Sequence, residues 1–362
     1  MAIYIILIIY ILALPFIVDR FTKDEEKKRT AIAFWGMLSI FLVLALKGDV
    51  GSDISGYCQQ YQVSANKAWS DVDYVYFESG YITLTKIFSK AGIDFQWFMV
   101  FVYALACSSM YLFIKKYSKN PTFSLIIFVC YQFFVFYISG VRQTIAMSLC
   151  LWAFMAMKKR KIRWYIIAFL ITALATTIHQ SAILFLAVLP IIFIRSKKIN
   201  IINYILILIG SVVFRPLVWT IIDRFFRSLD VNTSIILGGN FVFLLGISLF
   251  MYFMNSEKNV FKIKIEQTNE SEIDDENNVL FTRILLLSSA ALILFSGHSL
   301  TRAAMYMIIF IIPGLPNTVY KLESRLRIIC EFALIAFFLA LFYFETLSPN
   351  QLELCPYKFF WE

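Results

Sequence analysis

What most constrains this chain is a succession of apolar runs, each close to membrane-crossing length, separated by short segments rich in lysine and arginine. They lie at 2–18, 31–46, 96–114, 122–138, 141–157, 164–178, 181–194, 200–219, 234–254, 281–297, 301–319 and 328–346. A helix needs about 20 residues to cross the hydrocarbon layer, where every backbone N–H and C=O must be paired within the segment. The runs are aliphatic and aromatic throughout, without the alternation of barrel strands. The expected fold is therefore all-α: a polytopic transmembrane helical bundle of about 12 spans, one integral membrane domain over 1–362. Hydrophobic residues make up 60% of the chain and charged residues 16%, against about 25% charge in a soluble domain. The first run lacks a basic leading region and a small-residue cleavage site, so it is expected to be a retained span.

The basic residues set an orientation. Taking every other loop from 19–30 onward (115–121, 158–163, 195–198, 255–280, 320–327) collects about two-thirds of the 33 lysines and arginines. By the positive-inside rule these loops are cytoplasmic, and both termini lie outside. The net charge of +9 is thus a topology signal, and nucleic-acid binding is not expected. Segment 255–280 also carries Glu270, Glu272, Asp274, Asp275 and Glu276 and reads as a flexible, charged cytoplasmic loop. Residues 47–95 form an outward-facing polar loop, and the aromatic tail through Trp361 suits the membrane interface.

Three hairpins are short. Between the basic clusters, 38 residues separate Lys119 from Lys158, 31 separate Arg163 from Arg195, and 37 separate Arg283 from Lys321. Two full crossings take about 40 residues before any turn is added, so the outer apices are tight. All three are polar: Ser139-Gly140-Val141-Arg142-Gln143, Thr176-Thr177-Ile178-His179-Gln180-Ser181 and Gly297-His298-Ser299-Leu300-Thr301-Arg302. Charge at membrane depth is tolerated beside protein or a wet cavity, which points to a shared polar cavity opening outward.

Each residue has two readings. Arg142 and Arg302 either snorkel to the interface or grip an anion, helped by a helix N-terminus. His179 is either a cap bonded to Gln180 or Ser181, or a proton acceptor for a hydroxyl. His298 would orient the Arg302 turn, and Arg215, before Pro216, suits an interface. Asp49 and Asp53 lie in a turn-rich loop that would pin carboxylates over the cavity; Tyr57, Tyr81 and Tyr357 are the outer aromatics able to stack on sugars. Six cysteines form no CxxC pair, Cys58 and Cys355 share an expected side, and two histidines are too few for a dedicated metal site, so no metal or cofactor is expected.

These segments resemble the EpsG family of membrane polysaccharide polymerases, related to Wzy-type O-antigen and capsule polymerases. Lys47-Gly48-Asp49-Val50-Gly51-Ser52-Asp53 with Tyr57 is similar to a family loop in which arginine often stands where Lys47 does. Phe77-Glu78-Ser79-Gly80-Tyr81, Arg142-Gln143 with Ala146, His179 with Ser181, Arg302 with Tyr306, and Pro356-Tyr357-Lys358 follow in the family's order. The resemblance implies a glycosyltransferase of the bacterial plasma membrane, with a GT-C-like bundle as one form of the fold. It would join polyprenyl-diphosphate-linked oligosaccharide repeats on the outer face during capsule or exopolysaccharide synthesis, with a flippase and a chain-length regulator as partners. His179, Arg142, Arg302 and Asp53 would be catalytic; Gln143, Asp49, Tyr57, Glu78, His298, Arg215, Tyr306 and Tyr357 would hold substrate. A lipid-linked oligosaccharide transporter and an O-antigen-ligase-like transferase are the rival classes; a transporter is expected to carry charge along the cytoplasmic half of its path as well.

Overall fold

The computed structural model describes residues 1–71, 77–194, 199, 201–225, 238–255, 272–296, 299–350 and 352–362. Among them every regular element is helical and no strand occurs, apart from one isolated antiparallel bridge between Lys47 and Phe359.

The chain forms two compact units, Met1–Ile183 with Ile328–Glu362, and Leu184–Arg327. The first holds α1 (Ala2–Val18), α2 (Glu25–Ala45), α3 (Ile54–Asn66), α4 (Ser79–Lys90), α5 (Phe95–Tyr117), α6 (Pro121–Cys130), α7 (Phe133–Ser139), α8 (Val141–Met157) and α9 (Ile162–Ile178). Local chemistry sets several starts. Asp24 accepts from the Glu26 and Lys27 amides to cap α2, and Asn120 caps Phe123 while Pro121 fills the first helical position of α6. α6 and α7 bend by 53° at Tyr131-Gln132, where Gln132 adopts a left-handed φ of 48°. The 47–95 segment, expected as a polar loop, contains α3 and α4 packed on each other. Buried Lys86 of α4 donates to the carbonyls of Ala68 and Asp71, which ties down the turn after α3.

The second unit holds α10 (Val188–Phe193), α11 (Ile201–Val213), α12 (Arg215–Phe225), α13 (Gly239–Asn255), α14 (Glu272–Leu294), α15 (Met305–Ile308) and α16 (Ile311–Tyr320), with a 3-10 turn at Ser299–Ala304. Asn255 of α13 donates to Thr282 of α14 at 3.1 Å and Thr318 of α16 at 3.3 Å. Such bonds hold apolar helices together where lipid offers no hydrophobic drive, each worth about 0.6 kcal/mol. The last helix is α17 (Ser324–Leu341).

Five helical segments are long and apolar enough to cross a membrane: Glu25–Ala45, Phe95–Tyr117, Asp275–Leu294, Arg302–Tyr320 and Ser324–Leu347. The bent pair α6–α7 raises this to six. Further apolar helices, Ala2–Val18, Val141–Met157, Ile162–Ile178, Gln180–Phe193, Ile201–Val213 and Gly239–Asn255, fall short of the length of a straight crossing. The chain is a multi-pass helical membrane protein. Of the expected flexible loop 255–280, residues 256–271 lie outside the described residues, and 272–280 are the helical start of α14.

Candidate active site

Three helix ends meet in the first unit. Arg142 is the second residue of α8, Glu78 immediately precedes α4, and His179 ends α9. The Glu78 carboxylate bridges the other two. One oxygen pairs with Arg142 Nη1, and the other accepts from His179 Nδ1 at 3.1 Å and from the Gln180 amide at 3.0 Å. All three side chains are largely enclosed: 11% of Glu78, 20% of Arg142 and 24% of His179 is exposed.

The electrostatics follow from this bridging. Burial alone raises Glu78, but the His179 hydrogen bond, the Arg142 charge and the Gln180 N–H outweigh it and hold the carboxyl at about 2. Glu78 is therefore an anion at any physiological pH. Its bond to Nδ1 orients the imidazole and leaves Nε2 as the acceptor nitrogen of the neutral ring. The guanidinium is gripped on two more sides. Its Nε donates to the Tyr57 hydroxyl at 3.4 Å, and its carbon lies 4.2 Å from the Phe77 ring centroid. Phe77 stacks in turn on Tyr57, centroids 5.4 Å apart.

The closeness of α4 to α9 rests on Gly80. A Cβ there would lie 2.6 Å from the Thr177 carbonyl oxygen and 2.7 Å from its Cβ. Only glycine lets the start of α4 reach the end of α9, and that approach carries Glu78 to His179.

The remaining expected site residues are more scattered. Gln143 follows Arg142 and is buried. Asp49 and Asp53 are exposed in the loop before α3, with Asp53 accepting from Ser52 Oγ at 3.4 Å. Tyr57 and Tyr81 are buried and packed edge-on against each other, so their ring faces are spent on the protein and do not offer a sugar platform. Tyr357 uses its hydroxyl on the Val43 carbonyl at 2.7 Å. All six cysteines are free thiols, Cys58 and Cys355 included.

Arg215, Arg302 and Tyr306 belong to the second unit. Arg215 does not snorkel; it is buried and donates to Ser296 O at 2.7 Å and Leu294 O at 3.4 Å, capping the carbonyl end of α14. Arg302 is exposed in the 3-10 turn, Tyr306 is buried in α15, and His298 lies outside the described residues. Sequence reasoning missed Phe77, the Gln180 amide and Gly80 as parts of the site. The signal for Gly80 was present, a glycine two residues after the acid, but its partner Thr177 lies on another helix.

The fold and the cluster together define a multi-pass helical membrane protein with an arginine–carboxylate–histidine group at three helix ends. The chain matches the EpsG family over residues 30–359 and belongs to it; these are Wzy-like polysaccharide polymerases. No curated protein and no solved structure matches it.

Proposed function

We propose that the protein is a glycosyltransferase that joins polyprenyl-diphosphate-linked oligosaccharide repeats on the extracytoplasmic face of a bacterial plasma membrane. The observation that carries this is the ionised Glu78 shared between Arg142 and His179. In this reading the long apolar helices and the shorter ones together make about twelve crossings, and the basic-loop bias would put α4, the start of α8 and the end of α9 outside.

In the reaction, a hydroxyl on one lipid-linked chain attacks the anomeric carbon of the sugar on another. The new C–O bond forms as the bond to the diphosphate breaks. His179 Nε2 takes the hydroxyl proton, an assignment that fits imidazole as a class because it exchanges protons near neutrality. Glu78 is too weak a base for that step; it orients the imidazole and stabilises its charged form, as the carboxylate of a hydrolase triad does. Arg142 meets the charge that grows on the departing diphosphate. Asp53, in the loop before α3, would complete the acceptor subsite. A flippase that delivers repeats and a regulator of chain length are the partners such an enzyme needs.

The test is Arg142→Ala in producing cells, with protein level checked in membranes and the lengths of lipid-linked glycans measured. Single repeats accumulating outside, with long chains lost, support polymerisation at this cluster. Unchanged long chains remove Arg142 from the site, and repeats trapped on the cytoplasmic face favour a transporter.

A further inference from the structure

The C-terminal tail returns to the loop that leads into the site. Tyr4 Oη donates to Leu354 O at 2.9 Å and Tyr357 Oη to Val43 O, which anchors the tail across α1 and α2. Four backbone bonds then join it to residues 46–52. Gly48 N donates to Lys358 O at 2.9 Å, and Phe360 N to Leu46 O at 3.0 Å. Gly51 N reaches Glu353 O at 3.2 Å, and Ser52 N reaches Leu352 O at 3.1 Å. The fit is close: a Cβ on Gly48 would lie 2.8 Å from Phe359 O. Leu354 in the tail and Lys47 in the loop are both buried, and burial pulls the Lys47 ammonium down to about 7 despite nearby Asp49.

The same loop touches the end of α7, immediately before the arginine's helix. Gly51, at a φ of 106°, sits where a Cβ would meet Ser139 Oγ at 2.7 Å and Ile138 Cγ2 at 3.0 Å. Ser139 and Gly140 are the last residues before α8, whose second residue is Arg142. The loop also runs through Asp53 into α3, where Tyr57 holds Arg142 Nε. One loop thus braces both the helix start that carries Arg142 and the side chain that aims it, and the tail braces the loop.

We propose that Leu352–Phe360 is a positioning element for Arg142, a strap that fixes where the guanidinium meets the diphosphate. This rests on the catalytic reading of Arg142, but the physical coupling stands or falls separately. Misplacement by about 1 Å is enough to cost up to a hundredfold in rate, whereas substrate held by the rest of the site keeps its affinity.

The experiment compares wild-type protein with Gly48→Ala and Tyr357→Phe, purified in detergent. Hydrogen exchange is read at the tail, at 46–52 and at 136–146, and turnover of lipid-linked repeats is measured alongside. The variants are expected to open the tail and speed exchange at the start of α8. Turnover is expected to fall about tenfold or more with KM nearly unchanged. If the tail opens while exchange at 136–146 stays at the wild-type rate, the strap does not reach α8 and the proposal fails. If exchange rises there but turnover holds, the coupling does not serve catalysis, and the proposal fails on that count. Arg142→Ala in the same assay separates the two ideas, because normal turnover by that variant removes the catalytic reading and leaves the exchange result intact.

Discussion

His179 Nδ1 lies 3.1 Å from Glu78 Oε1, although 101 positions separate the two residues in the chain. The pairing is made by two helix ends, the start of α4 and the end of α9, brought together at Gly80 and Thr177. Because Arg142 takes the other carboxylate oxygen, a change at Glu78 acts on both Arg142 and His179 at once.

Glu78→Gln keeps the side-chain size and removes the charge. His179 then loses the anion that stabilises its protonated form, and Arg142 loses its counter-charge. Turnover is expected to fall by roughly 10²- to 10⁴-fold. Assay of purified protein checks this; wild-type turnover would place Glu78 outside the chemistry.

Glu78 also predicts acid sensitivity. Its carboxyl is lowered from 4.5 to about 2 in the folded protein. A depressed acid contributes stability that is fully present above its unfolded value and lost as pH falls through its folded one. The window therefore runs from about 4.5 down to about 2, and the contribution is at most about 3 kcal/mol. Thermal unfolding in detergent at stepped pH should show wild type losing stability across this window faster than Glu78→Gln.

Arg142→Lys is expected to behave as a loss, not a conservative change. Lysine cannot place one donor on Tyr57 and another on Glu78 while its plane lies over Phe77, since it has no plane. Polymer length in cells should match that of Arg142→Ala, with normal protein level.

Gly80→Ala forces a Cβ against the Thr177 backbone. Overpacking of this kind costs about 1–3 kcal/mol, and here it also pushes Glu78 away from His179. A lower Tm and reduced turnover are expected together. Wild-type values of both would show that α4 can approach α9 without a glycine.

Guanidinium groups supply the positive charge in the proposed transfer, so chelation is expected to leave turnover unchanged. Activity lost in EDTA and restored by one divalent cation would falsify that assignment.

Much of the architecture is legible in the chain because lipid imposes a local rule: each crossing must satisfy its own backbone bonds. Several expected apolar runs fall on single helices, such as 2–18 on Ala2–Val18 and 141–157 on Val141–Met157. The runs 122–138 and 200–219 each divide between two helices, and five or six segments are long enough for a crossing. The 47–95 segment was less legible, since α3 and α4 are amphipathic and hold together through Lys86, Tyr57 and Tyr81. Arg142 and His179 were visible as polar residues at turns, and Glu78 through the family resemblance of its segment. Their mutual contact was not, and neither was the burial of Tyr57, Tyr81 and Arg215.

The sequence by itself determined that this is a helical membrane protein and which polar residues stand at its helix ends, because hydrophobicity and charge act over one helix at a time. Only the tertiary structure decided that Glu78 joins Arg142 to His179, and that the tail from Leu352 closes on Gly48 and Gly51. Those relationships depend on atoms brought within about 3 Å across distant segments, a distance that hydrogen bonding demands and that no local pattern encodes.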